Sequence, residues 1–189
     1  HARAEVVALL VDKGANLDQA KNDDGATPLY IACQNGHLKI AALLLDKGAK
    51  IDQAMNDGGT PLFVACQEGH LKIAALLVDK GTNLDQAMDT GVTPLMTASY
   101  NKREEIVQLL LQRGANIDAM TSDGKTALSA ATAAGNRRIV VMLNVEKAKR
   151  AAVVAAPEAN ESKGDGAGGG FAAIMDAPVK EGTCATCGN

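Results

Sequence analysis

Cys184 and Cys187 stand in the run CATCGN with two residues between them. Thiolates at this spacing can share a zinc ion, but a closed structural site needs four ligands and only two residues follow Cys187. The pair is therefore at most half a site, the start of a zinc module over 184–189. Zinc enters as a cofactor only if the chain continues beyond Asn189. The other two readings are an incidental couple and a redox pair, and the redox pair lacks a following helix to lower a thiol pKa.

Other reactive groups point away from catalysis. DGKT at 123–126 resembles the end of a phosphate-binding loop, but the glycine required five residues before Gly124 is Ala119, and no buried strand precedes the run. His37 and His70 occupy the same place in two nearly identical stretches, which assigns the imidazoles to backbone hydrogen bonds around a turn. Cys33 and Cys66 share that logic as small apolar fillers. Glu104 and Glu105 open a helix, where carboxylates complement the dipole and face water. No nucleophile has a base in a specific local motif. The expectation is a chain that is not an enzyme and holds no cofactor within 1–156.

What positions these groups is a repeat. GHLKIAALL occurs at 36–44 and again at 69–77, and Thr27, Thr60, Thr93 and Thr126 stand at a constant spacing of 33 residues. The rows starting at Thr27 and Thr60 agree at 23 of 33 positions. A period of this length marks stacked supersecondary units that bury their apolar faces only against one another. Thr27 suits a helix N-cap and Pro28 the first helical position, while Leu29, Ala32 and Cys33 form a helical stripe. Gly36 ends this first helix. Leu38, Ile40, Ala41, Leu43, Leu44 and Leu45 make a second, ended at Lys47-Gly48 by a left-handed cap. Ile40, Leu43 and Leu44 are expected to pack on Ile73, Leu76 and Leu77. The run AKIDQAMNDGG then reads as a turn or hairpin leading to the next threonine.

These rows resemble ankyrin repeats: Asp-Gly-x-Thr-Pro-Leu, then Ala and Gly-His, a Leu-rich helix and Gly-Ala recur over residues 2–150. The resemblance implies an all-α repeat solenoid of stacked helix-turn-helix units with hairpin loops, binding other proteins through its concave face and hairpin tips. The rows depart from the pattern at Tyr30, Phe63, Met96 and Ser129, where histidine is usual. One extra residue lies between Gly14 and Gly25, and Lys102-Arg103 replaces Gly-His, which leaves that interhelical turn less tightly fixed. Arg3 aligns with His37, so the chain reads as starting inside a repeat, as a fragment of a longer array.

The expected organisation is an array over 1–156, a flexible linker over 157–183 and the cysteine-bearing end. The array comprises a partial repeat at 1–26, repeats at 27–59, 60–92 and 93–125, and a capping repeat at 126–156. Residues 1–150 hold equal numbers of Lys/Arg and Asp/Glu, and the whole chain carries −3, so no basic surplus favours nucleic acid. The apolar runs are too short to insert in a membrane, and the cysteine usage fits a reducing, intracellular and by default cytoplasmic setting. By the resemblance, contact residues fall on the tips at Asn56, Asp57, Asp89, Thr90, Val92, Ser122, Asp123 and Lys125. On the first helices they are Gln34, Asn35, Gln67, Glu68, Tyr100 and Asn101, with Tyr100 as the anchor. The leading function is a protein-interaction scaffold. The alternative is the substrate-recruiting arm of a larger zinc-module protein such as a ubiquitin ligase.

Overall fold

A computed structural model describes residues 2–155. It contains nine helices and no strand among the described residues: α1 (Ala2–Asp12), α2 (Pro28–Gln34), α3 (Leu38–Asp46), α4 (Pro61–Glu68), α5 (Leu71–Asp79), α6 (Pro94–Tyr100), α7 (Glu104–Gln112), α8 (Ala127–Ala133) and α9 (Arg137–Ala155). The even-numbered helices α2, α4, α6 and α8 stack in one row and the odd-numbered ones in another, each pair of partners antiparallel across a tight turn. This is an all-α repeat solenoid. The core runs between the rows, and Leu29, Leu62, Leu95, Leu44, Leu77 and Leu110 are buried along it.

Each helix starts and stops for local reasons. The hydroxyl oxygens of Thr27, Thr60 and Thr93 accept from the backbone N–H three residues on, at 3.1–3.3 Å, with proline in the first turn. Thr126 lacks the proline and closes a reciprocal pair with Ser129 instead. At the end of α3, Gly48 N–H donates to Leu45 and Ala49 N–H to Leu44, the Schellman pattern that requires a left-handed residue, here Gly48 at φ 90°. Helices of seven to nine residues would barely persist alone. Stacking supplies what length does not.

Within the expected packing trio the depth differs. Leu77 is fully buried and Ile73 nearly so, whereas Leu76 is half-buried, because it lies on the flank of α5. The terminal rows are wetter. Val6, Leu9 and Leu10 of α1 are each more than half exposed, and α1 packs chiefly on α3.

Between α3 and α4, and at each corresponding point, the chain projects a tip. Met55 N–H donates to Gly59, Met88 to Val92 and Thr121 to Lys125 across each turn, while the first tip spans Lys21 to Ala26 and so absorbs the extra residue. Successive tips are tied together: Asn56 N–H donates to Asp24 and Asp89 N–H to Asp57, at 2.9 and 3.0 Å.

Candidate functional site

The interhelical turns place the histidines. His70 Nε2–H donates to the carbonyl of Gln34, 3.1 Å away and one unit back, so the imidazole stitches two units together. Arg103 does the same with two nitrogens on the Gln67 carbonyl, at 3.1 and 3.2 Å. Lys102 beside it adopts the left-handed conformation at φ 59° that glycine holds in the other turns. The turn read as loosened is thus fixed by a stronger, charged donor. Asn136 continues the series by donating to Glu104 at 3.1 Å. The thiols are equally committed to structure: burial pushes Cys33 up to about 12 and Cys66 higher still.

The tips and first helices carry the expected contact residues. Gln34, Asn35, Asn56, Asp57, Gln67, Glu68, Asp89, Thr90, Tyr100, Ser122, Asp123 and Lys125 are exposed, while Val92 and Asn101 are half-buried. Several already have intramolecular duties. Asn35 and Asn101 donate back to carbonyls of their own helices at 2.8 and 2.9 Å, and Asn56 Nδ2 reaches the Asp23 carbonyl at 3.3 Å. Asp57 accepts from Gly59 N–H at 2.9 Å to shape its turn. Asp123 pairs with Lys125 at 2.8 Å and with the Thr121 hydroxyl, and together these hold its carboxyl down at about 2 and raise the lysine.

Three of the residues meet in one place. Val92, Tyr100 and Lys125 border a groove of about 620 Å³ between α6 and α8 and the tips that lead into them. Met96, Thr97, Thr121, Thr126, Ser129, Ala130 and Ala133 complete it. The repeat register explains the opening. Ser129 stands where Met96 stands one unit earlier, Ala130 where Thr97 stands, and Ala133 where Tyr100 stands, so large side chains on one wall face small ones on the other. Of these two walls the sequence reading named Tyr100 alone as a contact residue, and it passed over Met96, Thr97 and the small residues opposite. An apolar hollow with a few polar groups at its rim is the usual form of a binding site. A second hollow, of about 350 Å³, lies among Val7, Ile31, Ala32, His37, Ile40 and Leu44, with polar Gln19, Lys21 and Thr27 in its lining.

The family model described as Ankyrin repeats (3 copies) matches residues 1–88, 52–121 and 80–153. The chain belongs to the ankyrin repeat family. No curated protein gives a significant match to it. Ankyrin arrays are in general non-catalytic modules for protein–protein interaction, and protein binding is the role the repeats support here. No described helix is long and apolar enough to cross a membrane. Among the described residues no group of three or more His, Cys, Asp or Glu is arranged to hold a metal. Cys184, Cys187 and the linker expected over 157–183 lie outside the described residues.

Proposed function

We propose that this ankyrin array, taken as residues 1–156, is a non-catalytic scaffold that captures a protein partner between its hairpin tips and first helices, with the groove beside Tyr100 as the seat of the main anchor. The observation carrying this reading is that Tyr100 stays 61% exposed on the wall of an apolar groove, although it follows a buried run from Pro94 to Ser99. A tyrosine so held offers a large contact area at little further ordering cost. The helices beneath are tied by threonine caps and by inter-unit bonds, so the wall is rigid before a partner arrives. Residues with chemical potential elsewhere, His70 and Cys66 among them, are taken up by packing and stitching, which supports a role without catalysis.

The test uses partners selected from a displayed protein library with the full chain as bait. Tyr100→Ala should weaken a selected partner by at least about tenfold, as loss of a central anchor does. Gln108→Ala, on the exposed side of α7, should leave binding unchanged. Equal binding by both variants would exclude the groove as the contact site.

A further inference from the structure

Resting on the reading above, we infer that the groove's occupant is an extended peptide segment carrying one bulky apolar side chain and Lys or Arg about three and about six residues away from it. The apolar side chain fits the hollow between Met96, Tyr100, Ala130 and Ala133. The basic residues follow from charge on the neighbouring units. The ion pairs of the tips are Lys21 with Asp23 and Asp24, and Lys125 with Asp123, which leaves Asp57, Glu68 and Asp89 without a cation among the described residues. Asp89 shares its tip with Val92 of the groove wall, and its N–H is bonded to the Asp57 carbonyl. Burial and then the fields of Asp57, Asp24 and Glu68 push the Tyr30 phenol up, so the charges of Asp57 and Glu68 both act on one side chain. At the other end Lys125 is already neutralised by Asp123, so the groove presents no free cation of its own to repel a basic segment.

Spacing follows from two lengths. Packed helices lie roughly 8–10 Å apart, and an extended chain advances about 3.3 Å per residue, so roughly three residues separate contacts on adjacent units. An apolar anchor in the groove therefore brings the third residue toward Asp89 and the sixth toward Asp57 and Glu68. Exposed carboxylates are each worth little, so the groove supplies affinity and the charges supply preference.

A random peptide library panned against the full chain tests this, with affinities of the enriched peptides then measured on three proteins. These are the wild type, Ala133→Arg, which fills the groove from an exposed position, and the isosteric triple variant Asp57→Asn, Glu68→Gln, Asp89→Asn, which retains the acceptor oxygens of the turn. Enriched peptides should combine a Leu, Met or aromatic residue with Lys or Arg at the stated spacings. They should bind the triple variant about tenfold more weakly, and the difference should shrink as salt shortens the screening length from about 30 Å to 8 Å. Peptides that require the groove but carry no basic residue, or that bind the triple variant equally, would overturn this inference and leave the proposed function standing. Peptides that bind Ala133→Arg as well as wild type would overturn both. A library that yields no enriched peptide would overturn the inference of an extended segment, while protein partners sensitive to Tyr100→Ala would still uphold the scaffold.

Discussion

The two copies of GHLKIAALL begin at Gly36 and Gly69, and in them the same nine residues meet different surroundings. Both fold as a turn followed by a helix, with Ala41, Ala74 and Leu77 fully buried and Leu44 nearly so. The copies part at their second and fifth residues. Ile73 is 2% exposed, whereas Ile40 is half-buried and borders an open hollow beside α1. His70 is bonded to the unit before it, whereas His37 lines that same hollow. Local sequence therefore chooses the helix, and the neighbouring unit decides how much that helix is worth.

The largest expected difference lies in the isoleucines. Ile73→Ala should cost about 2–5 kcal/mol, because the lost methyl groups leave a cavity between packed helices. Ile40→Ala should cost roughly 1–2 kcal/mol, since the side chain is already partly wet. Denaturant unfolding of the two variants measures this, and equal costs would break the comparison. A smaller effect is expected at the histidines: His70→Ala should lose about 0.5–1.5 kcal/mol with its inter-unit bond, and His37→Ala less. Thermal melts of the pair would show a larger drop for His70→Ala.

The smallest effect concerns the last tip, where Lys125 stands at the register of Gly59 and Val92. Asp123 is held at about 2 against an ordinary 3.8, chiefly by its bond to Lys125. A carboxyl lowered on folding adds stability that is present above its unfolded value and lost as pH falls from about 4 through about 2. An NMR titration should find Asp123 low in the wild type and higher, toward its ordinary range, in Lys125→Met. An unchanged midpoint would assign the shift to Thr121 alone.

Much of the fold was legible because it is written as local punctuation. Thr-Pro starts α2, α4 and α6, the 3.6-residue stripe of Leu29, Ala32 and Cys33 faces inward, and Gly48 closes α3, all of which depend on neighbours within one unit. What escaped depends on residues a full period away. His70 and Arg103 reach the unit before them, so their partners cannot be read from the turn they occupy. Leu76 differs from Leu77 by one step around α5, finer than a repeat alignment resolves. Of the residues lining the groove, Tyr100 stood out by type, and Val92 and Lys125 by their place on the tips. Ser129, Ala130 and Ala133 did not, because a small residue signals a groove only when a larger one stands opposite.

Whether partners engage the groove beside Tyr100 is read from an NMR titration of the full chain with a library-selected partner peptide. The predicted result is a set of shifted amides centred on Val92, Met96, Tyr100, Ser129 and Ala133, with α1 and the outward side of α7 unmoved. Shifts centred instead on Val6, Leu9 and Leu10, or on Gln108 and Gln112, with the groove silent, would contradict it.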